Sequence, residues 1–275
     1  MLPARCHTQV QLLKTNWASV LKADLSEVPS VKVPAGYQRL KLPGKVQVLL
    51  VEEEAHLGGA LQALRDSMQD PVVAIDLEFE HLQSRPIRVA MMQLASSRVA
   101  VLIRTCRMDN KLPKVLSKFL QDPSVCLLGC GWASTDEVIM QRTFGISRKD
   151  FGRFLDLQEV GGLFGLQEVG LKQLTRHVLG LELNKNSRGN WEAQRLKPSK
   201  VKYAALDVLV AGQVFRKLLM TSCSLLHLRC WKCTIRMSLA STGAAAAQRV
   251  AAAPAAGAVS KGRKKAVAIG GAATG

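Results

Sequence analysis

The 275 residues, 48% of them hydrophobic, suffice for one large core with extensions. They contain no apolar run of about 18 residues, the length that would argue for a transmembrane segment. The formal charge of +17 is concentrated at one end, because residues 216–275 hold ten Lys and Arg and no acid; such a tail suits a polyanion, through counterion release from a phosphate backbone. The seven cysteines are odd in number and scattered, which argues for reduced thiols rather than a disulfide framework.

The first 25 residues hold no compact apolar block ending in a small-residue cleavage site, so a secretory signal is not expected. Val10, Leu13, Trp17 and Leu21 recur at helical spacing. The basic, acid-free segment around them reads as a surface helix or an organelle transit peptide. Residues 28–45, with Pro29, Pro34, Gly36, Pro43 and Gly44, read as an irregular lead-in. A strand is expected at 45–51 and a helix at 54–68. VVAIDLEFE (72–80), RVAMMQLAS (88–96) and RVAVLIR (98–104) read as three strands of an antiparallel meander, with a tight turn at Ser96-Ser97.

Next come a helix at 110–121, a strand at 125–129, a helix at 135–143 and a short strand within 151–157. A helix over 166–179 ends at Gly180, a C-cap. Residues 182–198 are polar loop, and a long helix starts at Pro198-Ser199 and carries an apolar stripe to about Met220. The fold class is therefore α/β, a mixed sheet of antiparallel meander plus parallel strands flanked by helices. Four segments are expected: an extension (1–44), the α/β domain (45–220), a short Cys-rich piece (221–240) and a disordered Ala/Gly-rich basic tail (241–275). Cys223, His227, Cys230 and Cys233 have the residue types of a zinc site but are crowded into eleven residues, and unliganded cysteines are the simpler reading.

Asp76 and Glu78 stand in a run that otherwise reads as buried strand. Two apart, they leave the same face. Asp207 lies in the last helix with Tyr203 four residues before it, on the same side. Asp136 follows the glycine-rich GCGWAST at the start of another helix. Brought to one cleft, four carboxylates repel each other and their proton affinities rise. Divalent cations resolve that conflict, and an all-oxygen ligand set suits Mg²⁺ or Mn²⁺. Carboxylates holding two such ions are suited to phosphodiester hydrolysis, with Tyr203 positioning or deprotonating the attacking water. Further candidates for substrate contact are Gln93 on the second meander strand, Trp132 as a stacking surface or a core residue, and Lys185, Arg188, Trp191 and Arg195 in the loop before the last helix. Asp156 reads as a cap or a supporting acid.

VVAIDLEFE with MMQLA, GCGWASTDEVI, and LKQLTRHVLGLELNKNSRGNWEAQRLKPSKVKYAALDVLVAGQVFRKL together resemble the DEDD 3′–5′ exonucleases. The likeness is to the tyrosine-bearing branch typified by ribonuclease D and the Werner-type exonuclease domain, over about residues 45–220. It implies a ribonuclease H-like fold and a metal-dependent enzyme releasing nucleoside 5′-monophosphates from the 3′ end of RNA or DNA. It also implies two ions, one held by Asp76, Glu78 and Asp207, the other by Asp76 and Asp136. The turn from Gly129 to Asp136 is one residue longer than is usual in the family, which leaves Glu137 as an alternative acid. Single-stranded or 3′-accessible nucleic acid is the expected partner, and no membrane. An intracellular location, nuclear or organellar, is expected. A catalytically inactive nucleic-acid-binding or adaptor protein on the same fold is the alternative.

Overall fold

The protein is described by a computed structural model covering residues 38–42, 46–80, 86–132, 135–166, 169–183 and 189–225, with side chains described from Val46 to Thr221. The expected helix at 10–21, the basic tail and the 223–233 cysteine–histidine group fall outside the described side chains, as do Lys185 and Arg188.

The strands are β1 (Gln38–Leu42), β2 (Val46–Val51), β3 (Val72–Phe79), β4 (Val89–Ala95), β5 (Val99–Ile103), β6 (Cys126–Gly129) and β7 (Phe154–Asp156). The helices are α1 (Glu54–Asp66), α2 (Lys114–Leu120), α3 (Thr135–Phe144), α4 (Leu157–Gly162), α5 (Leu171–Leu179) and α6 (Pro198–Leu225). The seven strands form one sheet in the order β1-β2-β5-β4-β3-β6-β7. As the close spacing predicts, β3, β4 and β5 pair antiparallel. β6 and β7 extend the sheet in parallel from β3. On the other side β2 pairs parallel with β5, and β1 antiparallel with β2.

Strand alternation gives the sheet two different faces. Val73, Ile75 and Leu77 of β3 join Met92 and Leu94 of β4 in a core covered by Leu57, Leu61 and Leu64 of α1 and by Leu116, Phe119 and Leu120 of α2. Asp76 and Glu78 leave β3 on the opposite face, where α6 lies across β3, β4 and β5. α6 is also tied to the base of β3. Arg216 Nε donates to Asp70 Oδ2 at 2.7 Å, Nη2 reaches Asp70 Oδ1 at 3.2 Å and the Val72 carbonyl at 3.3 Å, and both side chains of this ion pair are buried.

Three expectations are corrected. Within the segment read as irregular, residues 38–42 form β1, paired residue for residue with β2; five residues flanked by Pro34, Gly36, Pro43 and Gly44 are too short to reveal alternation. The helix expected from 110 begins at Lys114, because Asp109 and Asn110 adopt left-handed backbone (φ 55° and 51°) and Pro113 is extended. The helix expected from 166 begins at Leu171, and a separate short α4 precedes it, containing Gly161 and Gly162. Gly180, left-handed at φ 68°, does end α5.

Candidate active site

Strand β3 delivers Asp76 and Glu78, and α6 delivers Asp207 onto the same face of the sheet. One carboxylate oxygen from each lies within 4.8 Å of the other two. Asp207 is buried, while Asp76 and Glu78 are half-buried. An octahedral hard cation with bonds of about 2.1 Å brings its ligand oxygens to about 3–4 Å from one another. Closing the oxygen–oxygen separations by at most about 2 Å meets that requirement. The set holds no nitrogen or sulfur, which fits Mg²⁺ or Mn²⁺ better than softer metals.

Tyr203 stands one helical turn before Asp207 and is hydrogen-bonded to it. Burial, then the charges of Asp207 and Glu78, push the phenol well above its ordinary value. Tyr203 is thus a neutral donor in this arrangement.

Asp136 does not join the three-acid cluster. It lies in the first turn of α3, half-buried, and burial followed by the Asp156 charge pushes its carboxyl up to about 6. Asp156 itself holds the glycine-rich turn together. Its carboxylate accepts from Gly131 N at 3.0 Å, Trp132 N at 2.8 Å and Gln158 N at 2.8 Å, the last as the N-cap of α4. Gly131 is left-handed at φ +71°, and a Cβ there would meet the Gln158 side chain at 3.0 Å. Glu137, the alternative acid, is already committed: it accepts from Trp132 Nε1 at 2.8 Å and from Arg148 N at 3.1 Å. It braces the turn and is not a spare ligand.

Three candidates for substrate contact are buried. Trp132 is 1% exposed and packs edge-on against Phe151 and tilted against Phe154, at 5.9 and 5.6 Å, so a base cannot stack on it. Trp191 is 3% exposed, its ring 6.2 Å from that of Tyr203; it supports the tyrosine and offers no face to a base. Gln93 is fully buried. It sits directly across from Asp76 in the β3–β4 register, and neither amide atom has a hydrogen-bond partner among the described residues. It is a buried neighbour of Asp76, the structural alternative among its expected roles. Arg195 is exposed and stays available at the surface.

Arg104 and Lys200, neither of which was a candidate from the sequence, organise the loop before α6 together with Glu80. Arg104, wholly buried at the end of β5, pairs with Glu52 Oε1 at 2.6 Å and donates to the carbonyls of Gln194 at 3.2 Å, Trp191 at 3.4 Å and Ala193. Glu80, just past β3, accepts from the Trp191 backbone N–H. The loop is thus fastened to two strands of the sheet, and Trp191 with it. Lys200 lies over the ring of Trp191, Nζ 4.4 Å from its centroid, and donates to the Gly189 carbonyl. An arginine after a strand and a lysine in a first helical turn both read as solvated charge, so no local pattern marked either.

A sheet built from an antiparallel meander and parallel strands, with a carboxylate cluster where its central strand meets a long helix, defines a ribonuclease H-like domain with a candidate metal centre. Comparison with known proteins agrees. A family model described as 3′–5′ exonuclease matches residues 50–221. The Drosophila melanogaster protein named exonuclease 3′–5′ domain-containing protein 2 is 28% identical over 179 residues, which cover 63% of this chain and 30% of that protein. Among solved structures, Escherichia coli RNase D superposes with a TM-score of 0.53 at 22% identity, covering 62% of this chain and 44% of that one. The catalytic core of RRP6 from Trypanosoma brucei (mutant C496S) superposes at 0.56 and 19%, covering 82% and 61%. The chain belongs to the 3′–5′ exonuclease family, DEDD type, and so to a family of hydrolases. The match spans under a third of the length of the Drosophila melanogaster protein and of the Homo sapiens protein of the same name. No helix among the described residues is long and apolar enough to cross a membrane.

Proposed function

We propose that this chain is a metal-dependent 3′–5′ exonuclease, releasing nucleoside 5′-monophosphates from the 3′ end of single-stranded or 3′-accessible RNA or DNA. One observation carries the reading: Asp76, Glu78 and Asp207 converge within 4.8 Å, beside a tyrosine hydrogen-bonded to the last of them. Asp76, Glu78 and Asp207 would hold one Mg²⁺ or Mn²⁺, and Asp76 with Asp136 a second. Bound there, the ions supply a nucleophile at neutral pH and stabilise charge on the phosphoryl oxygens. The protein's own share is geometric. β3 and α6 fix the carboxylates on rigid elements, and Tyr203 donates its one O–H to the acid beside it, leaving the phenol oxygen to accept from the water entering the cleft.

The test is digestion of 3′- and 5′-labelled oligonucleotides, RNA and DNA in parallel, with Mg²⁺ or Mn²⁺. We expect stepwise loss from the 3′ end, abolished by EDTA and reduced at least about a hundredfold in D76A, the scale on which removal of a group that stabilises transition-state charge acts. Unchanged cleavage by D76A would refute the assignment.

A second reading rests on the position of Asp136 outside the three-acid cluster: a protein on this fold that binds nucleic acid without cutting it. Tight oligonucleotide binding without product in either metal would establish that alternative.

A further inference from the structure

We infer that Lys200 is a phosphate-binding residue, holding the nucleic-acid backbone at the mouth of the carboxylate cleft. The inference rests on the exonuclease reading above for the identity of the cleft, and adds a contact that neither the motifs nor the acid cluster supplies.

Lys200, Tyr203 and Asp207 stand at i, i+3 and i+7 on α6, along one stripe of the helix. Asp207 closes the acid cluster at the inner end, Tyr203 follows it outward, and Lys200 occupies the outer end, about 10 Å along the helix axis from Asp207. Lys200 is half-buried; burial draws its ammonium below the ordinary lysine value while Glu80 and Glu78 oppose that shift, which places the ammonium on the acid side of the helix rather than in open solvent.

The two groups in direct contact with the ammonium are neutral. Nζ sits 4.4 Å above the centre of the Trp191 ring and donates to the Gly189 carbonyl. A ring face and a carbonyl orient a cation without neutralising it, and an ammonium carries three donors, so donors remain for an incoming anion. Trp191 is itself fixed, its N–H by Glu80 and its carbonyl by Arg104, so the platform under Lys200 is rigid.

The setting calls for such a cation. Asp76, Glu78, Glu80 and Asp207 make the cleft acidic, and a polyanionic strand approaching it is repelled until positive charge intervenes. Ions on the carboxylates screen the inner end of the stripe. Lys200 supplies positive charge at the outer end of the same stripe.

The test compares full-length wild type, K200M and K200R. Methionine keeps the apolar stem over Trp191 and removes the charge; arginine keeps the charge. Binding of a fluorescent single-stranded oligonucleotide is measured against salt in EDTA, and 3′-end digestion in Mg²⁺. We expect K200M to bind about tenfold more weakly, as for loss of one charge-assisted hydrogen bond, with a salt slope lower by about one. Its KM should rise by a similar factor while kcat stays within about twofold, and K200R should recover most of the loss. A merely structural lysine would lower the melting temperature of K200M and leave the salt slope alone.

An unchanged salt slope and KM in K200M, with wild type still degrading 3′ ends, would overturn the role of Lys200 and leave the nuclease standing. A wild type that binds but releases no nucleotide would sink the nuclease reading, while the binding measurement still decides on Lys200.

Discussion

At the scale of single residues, Asp136 carries the most informative chemistry. Burial and the nearby Asp156 charge raise its carboxyl from an ordinary 3.8 to about 6 in the metal-free protein. A folded pKa above the unfolded one means that folding takes up a proton. The resulting stability is therefore complete below about pH 3.8 and is lost as pH climbs through 6. D136N should flatten that part of the stability–pH profile, which denaturation from pH 4 to 7 will show. If Asp136 completes the second ion site, cation and proton compete for it. Mg²⁺ affinity measured by calorimetry should then rise with pH up to about 6 and level off above it, and D136N should remove the rise.

The residue scale also shows how far chemistry can be read without coordinates. Asp76, Glu78 and Asp207 were legible because charge inside an apolar run is costly and needs a partner, and their spacing already put each on a definite face. Trp132 and Trp191 were not. An aromatic ring next to a glycine turn or a basic loop has the same local sequence whether it faces a base or a core. Only the positions of Phe151 and Phe154, or of Tyr203, decide between them. Lys200 was in principle readable from its i, i+3, i+7 relation to Tyr203 and Asp207, but a lysine beside Lys197 and Lys202 blends into an ordinary solvated turn.

Among elements, α6 bears the greatest share of the architecture, since it both covers the sheet and brings in Asp207. Its lower half is anchored by Arg216, whose partner Asp70 also accepts from Val72 N at 2.9 Å at the start of β3. Strand and helix, the two sources of acid, are therefore fastened to one carboxylate. Replacing Arg216 by Met leaves Asp70 buried and unpaired, which costs about 3–5 kcal/mol. Chemical denaturation should show a loss of that size, and a loss below about 1 kcal/mol would mean that the pair does not anchor α6. The main strands and helices were legible because their apolar periods are long. β1 and α4 escaped because five residues between Pro/Gly clusters and six residues ending in two glycines carry too little pattern to separate them from loop.

For the molecule as a whole, charge is distributed very unequally. The domain that holds the acids bears modest excess charge, whereas the region beyond Phe215 is purely basic. Truncation after about residue 240 removes Arg249, Lys261, Arg263, Lys264 and Lys265 and none of the candidate site. It should weaken oligonucleotide binding and flatten its dependence on salt, while metal-dependent release of nucleotides persists. A salt dependence identical to that of the full chain would exclude the tail from binding.

Asp76 and Glu78 precede Asp207 by about half the chain, and Asp207 resides on the last described helix. During synthesis the strand acids leave the ribosome well before their third partner does. Until α6 follows, two of the three carboxylates of the cluster are present without Asp207. The cluster is complete only when α6 has packed on the sheet, so cation uptake by these acids reports the docking of that helix.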